Sequence, residues 1–211
     1  MSTSFSVTNT AEFFFCGDSP MLPTMAQADP DTLLMLRYKS GELDAFETLY
    51  QKHRGPLYRY FVRNGQSTSV AEELYQEVWM KLIKSRLNYE ARAKFSTYLY
   101  QLAHNCMVDF IRKQSRRPQL VGGLDFAEAV DETTQPDRPL QATQDRAALL
   151  KALDQLPDDQ REVFVLKEEV HLNLDEIALV TGVGRETAKS RLRYANSKLK
   201  ELMAISLGVS S

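Results

Sequence analysis

The sequence predicts an all-α protein: two small helical domains joined by a flexible acidic linker, the second domain containing a helix-turn-helix. Three observations predict it. Apolar residues recur at three- and four-residue steps from Asp29 to Arg117 and again from Asp145 onward, the period of one buried helix face. From Gln119 to Asp145, Gly122, Gly123, Pro136 and Pro139 break any period, and six acids face a single Arg138. Near the end, LNLDEIALVTGVGRETAKSRLRYANSKLKEL (172–202) holds a short helix, a tight turn and a strongly basic second helix. The expected division is 1–28, a disordered extension; 29–118, the first helical domain; 119–144, the linker; 145–205, the second domain; and 206–211, a tail.

Residues 1–28 carry Pro20 and Pro23 without helical or strand period. Two readings stay open for them: a docking peptide around Phe13, Phe14 and Phe15, or an extension upstream of a start at Met21 or Met25. The first helix is expected at Asp29, an N-cap followed by Pro30 at the first helical position, with a stop at Ser40-Gly41. A longer helix buries Ala45, Phe46, Leu49 and Tyr50, then Leu57, Tyr58 and Phe61 after an expected kink at Pro56. A third opens with a capping box at Ser69-Val70-Ala71-Glu72 and turns Leu74, Val78, Trp79 and Leu82 inward. Its opposite face shows Glu73, Gln76, Glu77 and Lys81. After an irregular stretch (88–94), a fourth helix points Leu99, Leu102, Ala103, Cys106 and Phe110 inward and Tyr98, Gln101, Asn105, Asp109 and Arg112 outward. It ends in Arg112-Lys113-Gln114-Ser115-Arg116-Arg117, basic at four of six positions, before Pro118.

Beyond the linker, Ala148, Leu149, Ala152, Leu153 and Leu156 form one apolar face, and Val163, Phe164 and Leu166 form the next after Pro157. In the helix-turn-helix, Ile177, Ala178 and Val180 precede Gly182, which suits the positive φ of a helix stop. Ala188, Leu192, Ala195, Leu199 and Leu202 line the inner face of the last helix. From Arg185 to Lys200 six basic residues stand against one acid, the charge a helix needs to lie in a groove walled by phosphates. With a net charge of −2, the chain as a whole has no attraction for DNA, so binding must come from such local segregation.

Bulk composition narrows the class further. At 43% apolar and 26% charged residues the chain is globular rather than disordered. Cys16 and Cys106 have no CxxC or nearby histidine partner, and His53, His104 and His171 are scattered, so neither a metal nor a cofactor is expected. Cys106, on an apolar stripe, reads as a small buried hydrophobe. No run reaches the length of about 18 apolar residues that spans a membrane, and no basic residue precedes Arg37 to make a signal peptide. The expected location is the cytoplasm. No nucleophile-base pair or phosphate-cradling loop is readable, so no enzyme activity is expected.

Four blocks, taken in order, resemble the extracytoplasmic-function sigma factors of bacterial RNA polymerase. AFETLYQKHRGPLYRYF (45–61) resembles the opening helix of their first conserved domain, and AEELYQEVWMKL (71–82) resembles their polymerase-binding helix. FSTYLYQLAHNCMVDFIRKQSRR (95–117) resembles the promoter-melting segment. LPDDQREVFVLKEEVHLNLDEIALVTGVGRETAKSRLRYANSKLKEL (156–202) is similar to the promoter-reading domain. The resemblance implies that Glu73, Gln76 and Glu77 contact the clamp helices of core RNA polymerase. It implies that Asn105 sits beside a flipped base of the minus-ten element, with Tyr98, Arg112, Lys113, Arg116 and Arg117 also on that DNA. Lys189, Ser190, Arg193 and Tyr194, with Arg185, would read the minus-35 element. Tyr98 stands where many members have Trp, and Tyr75 where an aliphatic is usual. The partners implied are core polymerase, promoter DNA and an anti-sigma factor. Two readings of the linker acids stay open, a mimic of nascent RNA or a soluble tether. The alternative function is a conventional helix-turn-helix regulator with a helical sensing or dimerisation domain, which would bind a palindromic duplex without polymerase.

Overall fold

The structure, a computed structural model, describes residues 29–116 and 148–206. Every regular element among them is helical.

Helix α1 (Pro30–Ser40) starts where Asp29 accepts a hydrogen bond from the Thr32 amide at 3.3 Å. It stops at Gly41, whose φ of 113° lets two amides fold back onto the Arg37 and Tyr38 carbonyls. Helix α2 (Leu43–Arg63) runs unbroken through Pro56. The proline removes the bond to the Lys52 carbonyl, but buried Ala45 and Leu49 before it and Leu57, Tyr60 and Phe61 after it anchor both halves. Helix α3 (Thr68–Ser85) begins two residues before the expected capping box: Ser67, not Ser69, accepts from the Val70 amide at 3.4 Å. Ser67 has the extended backbone of a cap, and Ser69 is already helical. A short 3-10 turn (Arg86–Asn88) leads to helix α4 (Phe95–Arg116).

These helices share a core centred on Leu49, Leu57, Phe61, Leu74, Val78 and Leu99, each fully buried. Trp79 is buried too, with edge contacts from Phe46 at 5.9 Å and Tyr50 at 5.0 Å. Asp31, buried between α1 and α2, accepts from Lys52 Nζ at 2.7 Å and pairs with His53 Nε2 at 2.9 Å. Burial alone would raise the Asp31 carboxyl, but the hydrogen bonds from Lys52 and His53 outweigh it and hold the group below its ordinary value. Burial pushes the His53 imidazole down against the opposing pull of Asp31.

Both shifts have the same sign in stability. As pH falls below 6.5, His53 of the unfolded chain takes up a proton before His53 of the fold does, so stability is lost from 6.5 downward. The Asp31 contribution is present above 3.8 and disappears as pH falls through the folded value. The melting temperature should therefore drop between pH 7.5 and 5. His53→Gln, which keeps a donor for Asp31 but does not titrate, should flatten that slope; an unchanged slope in calorimetry would assign it to other groups.

In the second unit, α5 (148–154 as described) is followed by α6 (Asp158–Glu168), α7 (Leu174–Thr181) and α8 (Arg185–Ser206). Arg161 of α6 is buried and closes the end of α5, donating to the carbonyls of Leu153 at 2.8 Å, Leu156 at 2.9 Å and Asp154 at 3.1 Å. The Leu153 carbonyl also accepts from the Leu156 amide at 3.0 Å, so the guanidinium adds a donor at the last turn of α5 and in the bend that follows it. Helix α7 is opened by a capping box between Asn173 and Glu176 and closed by Gly182 at φ 67°. Ala152, Leu153, Leu156, Ala195 and Leu199 make a small core between α5 and α8.

The two units are packed together, α7 against α4 and α6 against α2. Val163, Val165, Leu166, Ile177 and Val180 belong to the same continuous core as the first unit's helices.

Candidate nucleic-acid interface

Three exposed surfaces carry the residues singled out from the sequence. On α3, burying Leu74, Val78 and Leu82 turns Glu73 and Gln76 fully outward. Glu77 is half-exposed and tied to Lys81 Nζ at 2.8 Å, one helical turn on. Lys81 also donates to the Cys106 thiol at 3.2 Å. Cys106 is buried, as its apolar stripe implied, and burial pushes its thiol up despite the nearby ammonium. Below Gln76 the same face continues as Met80, Ile83 and Leu87, which are 51%, 40% and 65% exposed. Sequence reasoning missed this apolar stripe, although its spacing of four, three and four residues from Gln76 is the helical signal for one face.

On α4, Asn105 is exposed, and so are Arg112, Lys113 and Arg116 on the last turns. Their charges suit the negative end of the helix dipole and extend one basic strip past Asn105. Arg117 lies outside the described residues. Tyr98 is only half-exposed. Its hydroxyl meets Ser85 Oγ at 2.8 Å and its ring meets Tyr89 edge-on at 5.0 Å. That ring is therefore fixed in place rather than free to swing.

Helix α8 presents the third surface. Buried Ala188, Ala195 and Leu199 fix its inner face, which leaves Lys189, Arg193 and Tyr194 outward and Ser190 at the margin. Arg185 is held by Asp175 at 2.9 Å and lies 3.6 Å from Glu186, and Lys189 is 3.5 Å from Glu186. The Arg193 guanidinium lies over the Tyr194 ring at 5.0 Å and donates to its hydroxyl at 3.3 Å. An open recess of about 470 Å³ runs along this face, lined by Lys189, Leu192, Arg193, Asn196, Ser197 and Lys200. Asn196 had not been singled out from the sequence; it stands seven residues from Lys189, two turns along the same face. The three surfaces are distinct, and the α4 and α8 faces both offer cations and amides suited to phosphate and base edges.

Among the described residues no group of His, Cys, Asp and Glu is placed to hold a metal ion. No described helix is long and apolar enough to cross a membrane. The expected extension, the linker and the last residues lie outside the description.

Comparison with known proteins gives concordant results. Residues 49–117 match the family model for Sigma-70 region 2, and residues 146–199 match that for Sigma-70, region 4. The chain is 30% identical over 169 residues to the RNA polymerase sigma factor CarQ of Myxococcus xanthus, covering 80% of this chain and 95% of that protein. It is 28% identical over 161 residues to the ECF RNA polymerase sigma factor SigX of Bacillus subtilis, covering 74% of this chain and 77% of that one. Among solved structures, the sigma factor RpoE in complex with the anti-sigma factor NepR from Bartonella quintana superposes with a TM-score of 0.58 at 23% identity, over 79% of this chain and 98% of that one. At that identity the likeness is one of fold.

Proposed function

The chain belongs to the extracytoplasmic-function sigma factors of the sigma-70 family, and from that premise we propose how its surfaces divide the work of directing core RNA polymerase to a promoter. The protein is an alternative sigma factor for transcription initiation. Glu73, Gln76 and Glu77 on α3 grip the polymerase clamp. Asn105, with Tyr98 and the basic end of α4, holds the opened minus-ten strand. Lys189, Ser190, Arg193 and Tyr194, with Arg185, read minus-35 duplex.

The observation that carries this division is the separation of charge. A chain of net charge −2 concentrates exposed cations on α8 and the end of α4, and turns an acidic and amide row outward on α3. Cationic faces suit nucleic acid, and an acidic row suits a basic protein partner. The protein acts in the cytoplasm, performs no catalysis of its own, and is held in reserve by an anti-sigma factor. The half-buried Tyr98, braced by Ser85 and Tyr89, supplies a rigid edge beside Asn105 rather than a mobile stacking plane.

Reconstitution with core polymerase on a defined promoter tests the reading: the chain should start transcription there and bind the duplex weakly alone. Tight dimeric binding to a palindrome without polymerase would favour a conventional regulator. The α3 assignment has its own test. Glu73→Lys combined with Gln76→Ala changes only exposed side chains, so the melting temperature should move little while affinity for core polymerase falls about tenfold or more, the scale of one lost or reversed interfacial charge. Unchanged capture of core enzyme at moderate salt would remove this surface from the interface.

A further inference from the structure

The division of labour above leaves the lower part of the outward face of α3 unused. Met80 and Ile83, with Leu87 in the 3-10 turn that continues the helix, lie there at helical spacing, all exposed. At the rise of a helix they mark a stripe about 10 Å long. Exposed Lys84 borders it on one side. On the other is Arg86, whose guanidinium lies 5.1 Å over the Tyr38 ring. Above the stripe the same face turns polar at Glu73 and Gln76. An apolar stripe with a cationic rim and an acidic upper end suits an apolar occupant that carries acids, and seats it at the lower end.

The chain itself carries such a segment. Glu12-Phe13-Phe14-Phe15-Cys16-Gly17-Asp18 holds three consecutive aromatic residues between two acids, and residues 1–28 contain no Lys, Arg or His. Three residues of extended chain also cover about 10 Å. The tether is long enough: residues 17–28 can span up to about 40 Å, whereas α1, which they precede, is only about 16 Å long. The far end of α1 lies against the 3-10 turn, where Lys39 Nζ donates to the Tyr89 carbonyl at 2.7 Å and Tyr38 lies under Arg86. Such a tether holds the segment at an effective concentration on the order of mM, above that of a second copy in dilute solution.

We propose that the stripe is a docking surface for the chain's own segment ahead of α1: Phe13, Phe14 and Phe15 seat on Met80, Ile83 and Leu87, with Glu12 and Asp18 toward Lys84 and Arg86. The aromatic rings supply apolar area and suit the Met80 thioether. The solvated charges set the register and contribute little to affinity. Because the stripe runs directly into Gln76, an occupied stripe obstructs the row assigned to polymerase, which must displace the segment to bind. That consequence rests on the sigma-factor reading; the docking itself does not.

The test uses the full chain with benzoylphenylalanine in place of Phe14. Irradiation should join it to Met80, Ile83 or Leu87 of the same molecule, as located by mass spectrometry. Leu87→Glu, a change at an exposed position, should leave the melting temperature in place and cut the cross-link yield about fivefold or more, because it sets a third acid where Glu12 and Asp18 dock. Separately, replacing Phe13, Phe14 and Phe15 by Ser should tighten binding to core polymerase about tenfold, the change expected when a state covered about 90% of the time is opened. A cross-link between two chains would assign the stripe to a second copy and overturn the proposal. A cross-link to another surface, or a yield unmoved by Leu87→Glu, would overturn it too, as would a native protein whose intact mass shows a start at Met21 or Met25. If the cross-link forms at the stripe while affinity for core enzyme stays unchanged, the docking stands and the obstruction of the Gln76 row is overturned, so the two failures are distinguishable.

Discussion

Replacing Arg161 by Met is expected to destabilise the second unit by about 3 kcal/mol, the scale of one or two lost bonds from a charged donor. Among the described residues the guanidinium is the only side chain donating to the carbonyls of Leu153, Asp154 and Leu156, at 2.8, 3.1 and 2.9 Å. Hydrogen bonds from a charged donor contribute roughly 1.5–3 kcal/mol each, and a buried acceptor left without a partner bears its full desolvation cost; the Leu153 carbonyl would keep the Leu156 amide, at 3.0 Å. The three are not additive, since they share one group and the Asp154 carbonyl is partly open to water. The methionine fills much of the space, so the loss measured is that of the bonds rather than of a cavity. Arg161→Lys should recover only a fraction, because an ammonium cannot fork toward three carbonyls as the planar guanidinium does. Urea denaturation checks the magnitude. A shift of the midpoint worth less than about 0.5 kcal/mol, the range of ordinary surface substitutions, would mean that water replaces the arginine without loss.

Arg161 also marks the boundary of what could be read from the chain. Its neighbours Leu153 and Leu156 were legible as an apolar face, because burial has a local period; a buried arginine serving the end of another helix has none. Start and stop signals behaved the same way. Asp29-Pro30, Gly41 and Gly182 act through adjacent backbone and were legible. The choice between Ser67 and Ser69 was not, because both are good caps and the selection is made by where α3 must lie to bury Leu74 and Val78.

Pairings between the two units left no trace in the sequence. Tyr60 and Glu162 meet across a separation of 102 residues, and Glu162 on α6, Glu169 just past its end and Glu176 on α7 resemble any solvated acids in the sequence. Tyr100 and Met107, buried on α4, were absent from its expected inner face. Tyr100 looks toward α2, where its ring meets Tyr60 at 5.3 Å. The candidate DNA and polymerase residues rest on family resemblance laid over helical faces, and the exposure of Glu73, Gln76, Asn105, Lys189, Arg193 and Tyr194 follows from period alone. The bracing of Tyr98 by Ser85 and Tyr89 did not, since it depends on how the 3-10 turn and the loop after it return to α4.

The two DNA surfaces should fail at different steps when damaged, and this is the sharpest test of the proposed division. Arg193 is exposed on α8, its guanidinium steadied over Tyr194 at 5.0 Å. Arg193→Ala removes either a base-edge contact, worth about 1–3 kcal/mol of discrimination, or a phosphate contact, whose loss lowers the salt slope by about one unit. In both cases the first encounter with duplex suffers, by about tenfold for each 1.4 kcal/mol. Asn105, exposed on α4, carries an amide that pairs with a base edge only after that base has left the stack. Holoenzyme with Arg193→Ala should therefore form fewer closed complexes on a duplex promoter and regain most activity on a template whose minus-ten region is already unpaired. With Asn105→Ala, duplex binding should stay near normal while permanganate reactivity of the minus-ten thymines drops. The pre-melted template should rescue it only in part, because the base contact itself is missing. The assignment fails if Arg193→Ala blocks opening with initial binding intact, or if Asn105→Ala lowers duplex binding as much as the α8 change does.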